Sequence, residues 1–501
     1  MSRLRGGGDG TDVAIIGAGP AGSTIARLLA SWGWSVTVID RRRTRPSLAE
    51  SLPPSTRKLL AFLGQLEAID AARFHSNRGN VVQWAGQSRV THTDASGLHV
   101  RRADFDRILR ESAGRSGARL CDGIVSDVRI EDAASITFVT GGKAETCRAR
   151  YVVDCSGRAG VVARRGLRVP EPRYRTLAIA ADWTSIGWDA NEREHTIVES
   201  YGDGWAWSVP LSATRRQFTV MIDHDLRHKR RGSRAAPAAL NAVYARELAR
   251  TDALASRLAG ARQTCAAWAC DASLYRCSRA ADGPALLVGD AASFIEPLSA
   301  AGVKKALASA WRAAVVVNTC LAKPAMAAAA TEFYTAREAE VEADCRRRSA
   351  GFFTEAFAAY DQPFWAARAA SVRDVGRGTS DEEPLVRAAF ERLRQAASVR
   401  LRVSDAVRFA AAAEIDGREV VLREGLVLPG ARRPVRFAAG IDLRALVRLA
   451  PRCDQVGSLI ASYQAEVGPA PVDGVLTGLS YLVAKRALVT DVSETPWGSC
   501  P

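Results

Sequence analysis

The sequence predicts a mixed α/β and α+β protein of several domains, and three stretches of the chain carry this prediction. Residues 12–40 contain a strand, a glycine-rich turn, a helix and a second strand, as in a parallel α/β unit. Residues 174–223 form four short alternating runs bounded by turn residues, which is typical of an antiparallel sheet. Residues 418–488 combine a hairpin pattern with three amphipathic helical stretches. At 501 residues the chain exceeds one ordinary core.

The first stretch contains the strongest chemical signal, the motif GAGPAG at residues 17–22. Gly17 permits a tight turn, Gly19 lets a pyrophosphate approach the backbone, and Gly22 lets the helix pack close to the strand. The N-terminal amides of that helix would point at the phosphates. Asp40 ends the next apolar run, 18 residues after Gly22, where a carboxylate can bind a ribose hydroxyl. The stretch therefore predicts a Rossmann-like dinucleotide site.

A second motif at a strand end lies far along the chain, in ALLVGDAASFIEPLSAAGV at residues 285–303. Asp290 ends the predicted strand and can bind a ribityl hydroxyl. The helix that begins at Gly302-Val303 would direct amides at a ring able to carry negative charge. Between the two motifs, YVVDCSGR at residues 151–158 predicts a third strand followed by a small-residue turn.

In this order, GAGPAG, RRADFD at residues 101–106, DCSGR and GDAA resemble the FAD-binding monooxygenases of the para-hydroxybenzoate hydroxylase type and their halogenase and reductase relatives. The resemblance covers about residues 10–350 and implies a Rossmann-like FAD-binding domain. It implies FAD contacts at Gly17, Gly19, Ala21, Gly22, Asp40, Arg41, Arg102, Val125, Asp290, Gly302 and Val303. No second GxGxxG motif is present, so the expected reductant is NAD(P)H, bound transiently or acting through a separate flavin reductase.

The changes of pattern along the chain predict three domains. We expect an FAD-binding domain at 1–170 and 265–380, an inserted antiparallel-sheet substrate domain at 171–264, and a small domain at 385–501. The segment 373–384 has the polar composition of a linker.

The C-terminal stretch is winged-helix-like. REVVLREGLVLPG at residues 418–430 predicts a hairpin with its turn at Arg423-Glu424-Gly425, and three helices are expected over 441–450, 454–467 and 472–488. The set resembles the small modules that hold precursor peptides in peptide-modifying enzymes. A lid over the active site or a dimer contact remains open as an alternative.

The motif GWAWSVP at residues 204–210 places Trp205 and Trp207 on one face of a strand. Such a pair belongs either to a core or to the wall of a binding site. WAWSVP resembles the WxWxIP motif of flavin-dependent halogenases, which implies that the pair lies beside the flavin. Together with Pro297 and Ser299 of the PLSAAG segment, the two tryptophans are the candidate catalytic residues.

Two departures from that resemblance concern the chemistry itself. Asn77 stands where the halogenases have a lysine, when the spacing of ARFHSNRGNVVQWAG at residues 72–86 is matched. Ser299 stands where the Trp-specific halogenases have a glutamate. An amide cannot form a chloramine, and a serine without help is not a base at neutral pH. We therefore expect a halogenase-like fold that has lost halogenation.

The remaining resemblance implies hydroxylation of an electron-rich aromatic ring through a flavin C4a-hydroperoxide. The WAWSVP motif, the basic catalytic part and the C-terminal module together resemble the flavoprotein monooxygenases of tryptophylquinone cofactor biogenesis, such as the one that serves quinohemoprotein amine dehydrogenase. This implies a tryptophan of a small protein or peptide as the substrate. The alternatives are a small-molecule aromatic hydroxylase, a flavin-dependent halogenase, a prenyl-chain reductase and a non-catalytic flavoprotein that binds a peptide or carrier.

Charge and composition limit the expected partners. The net charge of +15 lies almost wholly before residue 381, because residues 381–501 carry 16 basic and 15 acidic side chains. The positive charge of the catalytic part favours an acidic partner. The sequence contains no basic helix face with interleaved aromatic residues, so it does not indicate nucleic-acid binding. The sequence has no apolar signal segment and no uncharged apolar run of about 18 residues, so we expect a cytoplasmic protein with no membrane contact. The ten cysteines lack metal-ligand spacing, so no metal is expected.

Overall fold

A computed structural model describes residues 10–41, 46–189, 192–224, 237–373, 383–395, 400–431 and 433–490. The chain divides into two compact units, residues 1–375 and 376–501. The first unit combines parallel and antiparallel sheets with helices, so the predicted mixed fold class is confirmed at this level. Most of the predicted linker 373–384 lies outside the described residues.

An eight-stranded sheet with five parallel strands forms one layer of the first unit. Its central strand is buried from Val13 to Ile16, as expected where both faces of a parallel sheet are covered. The strands are β1 (Gly10–Ile16), β2 (Val36–Asp40), β6 (Arg119–Asp122), β7 (Ile124–Ile130), β8 (Ala134–Thr140), β9 (Lys143–Asp154), β18 (Ala281–Asp282) and β19 (Ala285–Leu287). The parallel order is β19-β9-β1-β2-β6, so the turns after β1, β9 and β19 meet at one edge.

A nine-stranded sheet forms the second layer, and the four strands predicted over 174–223 are part of it. Its strands are β3 (Ala49–Leu52), β4 (His75–Trp84), β5 (Gln87–Arg101), β11 (Thr176–Thr184), β12 (His195–Tyr201), β13 (Gly204–Ser212), β14 (Arg215–Asp223), β15 (Arg262–Gln263) and β16 (Trp268–Asp271). The sheet extends beyond the predicted substrate segment, because β4 pairs with β12 in parallel and brings β5 and β3 with it. A smaller antiparallel sheet contains β10 (Arg168–Pro170), β17 (Tyr275–Cys277) and β20 (Ser293–Phe294).

Helices cover both sheets of the first unit. They are α1 (Pro20–Ser31), α2 (Pro54–Phe62), α3 (Leu66–Ala71), α4 (Arg102–Arg115), α5 (Pro237–Leu248), α6 (Ala253–Arg257), α7 (Gly302–Ala322), α8 (Ala327–Tyr360) and α9 (Pro363–Arg373). Helices α1 and α7 pack against each other, so the glycine motif and the start of α7 belong to one assembly. Among the described helices, none is both long and apolar enough to cross a bilayer.

The second unit contains the three predicted helices around an apolar core that includes Leu446, Leu479 and Leu482. Its elements are α10 (Glu383–Gln395), β21 (Leu401–Val403), β22 (Arg408–Asp416), β23 (Glu419–Val427), β24 (Phe437–Ala438), β25 (Ile441–Asp442), α11 (Leu443–Leu449), α12 (Val456–Glu466), α13 (Val472–Ala484) and β26 (Leu488–Thr490). Asp442 caps α11, because its Oδ1 accepts hydrogen bonds from the amides of Arg444 and Ala445.

The predicted hairpin turn at Arg423-Glu424-Gly425 is wrong. The turn lies at Gly417-Arg418, and Gly425 pairs with Ala410 in the middle of the hairpin. Gly417 has φ +59°, which suits glycine after Asp416. Gly425 instead allows close packing, since a Cβ there would lie 2.8 Å from the Cβ of Ala412.

Glu199 links β12 to α6, and this link predicts a large loss of stability on its removal. The side chain is buried and accepts hydrogen bonds from the amides of Asp252, Ala253 and Leu254 at 2.6, 3.1 and 2.9 Å. Glu199→Ala should lower the free energy of unfolding by about 2–4 kcal/mol, because it leaves buried amides without an acceptor. Denaturant unfolding measures the change, and Glu355→Ala, which removes a half-exposed acid, should cost less than about 1 kcal/mol. Equal losses in the two variants would contradict this account.

Candidate functional site

In the glycine turn after β1, two glycines are required by the packing of the chain and a third is not. Gly17 has φ +99°, and a Cβ there would lie 2.5 Å from the backbone oxygen of Cys155. A Cβ at Gly22 would lie 1.9 Å from the oxygen of Gly17, so both glycines are needed for packing. A Cβ at Gly19 would meet no atom of the described chain within 4 Å. Packing within the described chain therefore does not require a glycine at residue 19, and the free space there would admit a pyrophosphate.

Asp40 lies at the end of β2 and supports the same turn, because its Oδ1 accepts a hydrogen bond from the amide of Ala18 at 3.0 Å. Gly123 donates its amide to the backbone oxygen of Asp40 at 2.8 Å, which brings the chain leading to Val125 past this strand end. Arg41 follows Asp40 with an exposed side chain. These positions form the edge where the ribose and adenine of a dinucleotide would lie.

Arg102, the first residue of α4, lies in a network of charges that sequence reasoning identified only in part. Its guanidinium donates to both carboxylate oxygens of Asp106, at 2.9 and 3.0 Å, and to Glu50 at 3.3 Å. Burial raises the pKa of Glu50, while Arg102 opposes the rise and Asp290 adds to it. Burial disfavours the charge of Arg102, but Asp106 and Glu50 outweigh it, so the pKa of Arg102 is raised. Glu50 was missed because an isolated acid outside a motif gives no local signal.

Asp290 lies in a tight turn against the start of α7. Lys305 supports this turn from within the core, since its Nζ donates to the backbone oxygens of Gly289 and Ser293 and lies 3.9 Å from Asp290. Val303 is buried, and a Cβ at Gly302 would meet nothing within 4 Å in the described chain. The open approach to the first turn of α7 fits a ring bound at the helix N-terminus. Ala21 on α1 lies within reach of the same turn, 3.5 Å from a Cβ built at Gly289.

Trp205 and Trp207 stack on one face of β13, with ring centroids 4.8 Å apart and planes at 26°. Trp205 is buried in an aromatic cluster that also contains Trp84 and Trp365, whereas Trp207 is half-buried. Leu298, between Pro297 and Ser299, packs against this cluster. The structure therefore brings the tryptophan pair together with the PLS segment. The hydroxyl of Ser299 donates to the backbone oxygen of Glu296 at 3.3 Å.

Glu296 is a candidate that sequence reasoning missed, although it directly precedes Pro297. Its side chain is buried, and neither carboxylate oxygen has a hydrogen-bond partner among the described residues. The Nε1 of Trp205 also lacks one there. Burial raises the pKa of Glu296 to about 7, against the opposing effects of Arg368 and of the Trp205 indole N–H.

Asn77 is buried on β4, and both ends of its amide are engaged. Its Nδ2 donates to the Oγ of Ser51 at 2.8 Å, and its Oδ1 accepts from the amide of Gly79 at 3.1 Å. Asn77 thereby joins β4 to β3 at a bulge in the sheet. Among the described residues, no group of three or more His, Cys, Asp or Glu side chains could hold a metal ion.

Gly19→Val should abolish FAD binding while the chain still folds. A side chain at Gly19 has free space in the protein but would enter the space into which we place the pyrophosphate. Flavin absorbance of the purified protein measures bound FAD, and circular dichroism measures folding. Gly351→Val is the matched control, since a Cβ there also meets nothing within 4 Å. A folded Gly19→Val variant with a full complement of FAD would contradict the assignment.

Comparisons with known proteins agree with this geometry. A family model described as FAD binding domain matches residues 10–342. Tryptophan 2-halogenase of Chondromyces crocatus is 29% identical over 342 residues, which are 65% of this chain and 64% of that protein. The chain thus spans less than two thirds of that relative's length.

Two solved structures share the fold over nearly the whole chain. CmlS, a flavin-dependent halogenase, has a TM-score of 0.80 at 21% identity, covering 96% of each chain. QhpG, a peptidyl tryptophan dihydroxylase essential for tryptophylquinone cofactor biogenesis, has a TM-score of 0.66 at 23% identity, covering 95% of this chain and 99% of its own. The resemblance predicted from the motifs is therefore confirmed. The chain belongs to the FAD-binding domain family, and the similar proteins are halogenases and a peptidyl tryptophan dihydroxylase.

Proposed function

We propose that the protein is an FAD-dependent monooxygenase that hydroxylates a tryptophan side chain of a small acidic protein or peptide during tryptophylquinone cofactor biogenesis. The main observation against halogenation is that the Asn77 amide is buried and hydrogen-bonded within the sheet. Its amide is 6% exposed and occupied in joining β3 to β4, so it offers no group to receive a halogen. Lys58, the only lysine among residues 1–140, is exposed on α2.

FAD would be held at the edge where β1, β2, β9 and β19 end. Gly19 and the start of α1 would contact the pyrophosphate, Asp40 a ribose, and Asp290 the ribityl chain. The amides at Gly302-Val303 would stabilise negative charge on the ring. Bound FAD, once reduced by NAD(P)H directly or by a separate reductase, supplies the electrons and activates O2 for hydroxylation. Trp205 and Trp207 would exclude water and provide an aromatic surface for an indole substrate.

Features of both units support a macromolecular substrate. The excess positive charge of residues 1–380 suits an acidic partner through long-range attraction. In the second unit, the β22–β23 hairpin and α11–α13 form the element set of a winged-helix-like module, with Phe409, Leu422 and Phe437 exposed. We assign this module, residues 385–501, to holding the partner, and residues 171–264 to the substrate side of the site. The name of QhpG is consistent with this assignment.

Flavin-dependent halogenation is the second candidate, and the likeness to CmlS and to the tryptophan 2-halogenase favours it. In that case Lys304 would be the reactive amine. It lies in the first turn of α7, and its Nζ donates to the Oγ of Ser55 at 3.0 Å. The Lys304 ammonium therefore lies at the N-terminal end of α7, which is the end that we assign to binding the flavin ring.

The proposed function predicts turnover that is independent of halide. Product formation should be equal in chloride, in bromide and in halide-free buffer, and Asn77→Lys should not create halogenation because the amide contacts that it removes are structural. Mass spectrometry of the products measures both outcomes, with Lys58→Gln as a control. A halogenated product that disappears in Lys304→Gln would establish the second candidate instead.

If the substrate is a protein, the residues from Glu383 onwards should be needed for binding it but not for retaining FAD. A chain that ends before Glu383 should keep FAD but bind the acidic partner weakly, because the proposed holding module is removed. Affinity of the full chain should fall as salt rises from about 0.05 to 0.5 M, since charge attraction is screened. Calorimetric titration with the protein products of neighbouring genes measures both. Equal hydroxylation of free tryptophan by the full and shortened chains, without partner binding, would refute the protein substrate.

A further inference from the structure

Glu296 has no role in the proposed function so far, although it lies in the same segment as Pro297 and Ser299. It is 3% exposed, and the described residues offer neither of its oxygens a hydrogen bond. The indole N–H of Trp205 faces it and also lacks a partner there. The carboxyl and the indole N–H are adjacent, since the N–H opposes the rise in the Glu296 pKa, but neither has a close hydrogen-bond partner among the described residues, which costs free energy.

A small chamber lined by both polar and apolar side chains adjoins Glu296. The cavity has a volume of about 20 Å³, which is enough for an ordered water molecule. Its polar lining consists of Tyr174, Glu296, Glu342, Arg346, Ser349 and Ser371. Glu342 and Arg346 on α8 are partly exposed, with 16% and 21% of their side-chain surfaces accessible. The chamber therefore connects the buried carboxyl with side chains that reach solvent.

The other charged groups around the chamber have hydrogen-bond partners, although the Nε of Arg368 has none among the described residues. Arg368 on α9 donates to Asp223 at 2.9 Å, and Arg346 donates to Glu342 and to Glu171 at 3.0 and 3.2 Å. Tyr174, the remaining titratable group of the lining, has its pKa raised by burial and by Glu296. Among the acidic side chains around the chamber, Glu296 is therefore the one whose carboxylate oxygens lack a hydrogen-bond partner in the described structure.

We propose that Glu296 is a proton-exchanging positioning residue, which gains and loses its proton through this chamber and holds the Trp205 indole when it is ionised. The inference deepens the proposed function, on which it relies for placing Trp205 beside the reaction. On ionisation the O–H bond of the carboxyl breaks, and the proton passes to chamber water and then to solvent. The carboxylate accepts from Trp205 Nε1 more strongly than the neutral acid does. Because Trp205 stacks on Trp207, the positions of both indole rings then depend on the ionisation of Glu296.

Tryptophan fluorescence of the full-length protein, with and without FAD, tests the proposal without any substrate. The wild-type protein should show a transition centred at about pH 7. Glu296→Gln and Trp205→Phe should both lose this transition, whereas the exposed control Glu355→Gln should keep it. An unchanged transition in Glu296→Gln, or none in the wild type, would overturn the proposal. Neither result depends on hydroxylation, so failure here leaves the proposed function standing.

Thermal melting at several pH values provides a second readout if the fluorescence change is masked. A folded pKa above that of the unfolded chain means that wild-type stability falls as pH rises from about 4.5 to about 7. Glu296→Gln has no proton to lose, so its melting temperature should exceed that of the wild type above pH 7 and match it near pH 4.5. A variant that melts lower than the wild type at pH 8 would show that the ionised acid is structural, and would overturn the proposal.

Filling the chamber tests the route of the proton. Ser349 is buried in the lining, so Ser349→Val should block part of the cavity, whereas Ser349→Ala should not. After a rapid pH jump, the fluorescence response of Ser349→Val should be slower than that of the wild type and of Ser349→Ala. Identical rates in all three proteins would overturn exchange through the chamber.

Discussion

The contact between the glycine turn after β1 and the turn after β9 positions the rest of the first unit. Neither Gly17 nor Gly22 can carry a side chain without a collision in this contact. Asp154 holds the opposite side, since its buried carboxylate accepts from Ser156 and from the amides of Val162 and Ala163. With this contact in place, β1, β9 and β19 end together, and α1 and α7 begin beside them. The geometry leaves Gly19 and Gly302 open on the ligand side.

Elements with a strong local period were predictable from the sequence, and elements defined by distant pairing were not. The strand–turn–helix at residues 12–31, the strands over 174–223 and helices α11–α13 follow from spacing alone. The joining of β4 to β12 depends on residues more than a hundred positions apart, which no local pattern reveals. The predicted turn at Arg423-Glu424-Gly425 was wrong because it rested on a glycine alone, whereas the turn lies at Gly417-Arg418, where the positive φ of Gly417 suits a two-residue hairpin loop.

The candidate site shows the same division. Gly19, Asp40 and Asp290 belong to motifs in which chemistry and spacing coincide, and the structure places them along one edge. Glu50 and Glu296 belong to no such pattern, and only burial and missing partners distinguish them. For Glu296 a weak signal did exist, because it stands in the short segment between a strand and the start of α7. An acid that interrupts such an apolar segment needs a partner or a function.

A fold shared with halogenases does not settle which group receives the activated oxygen. Because both ends of the Asn77 amide are hydrogen-bonded within the sheet, we propose that the oxygen is transferred to an aromatic ring. The most direct test is reaction of the reduced, FAD-loaded protein with its acidic partner under ¹⁸O2, followed by mass spectrometry of the partner's peptides. The account predicts one or two ¹⁸O atoms on a tryptophan, with no halogen in the presence of bromide. A brominated tryptophan, or an oxygen derived from water, would contradict it.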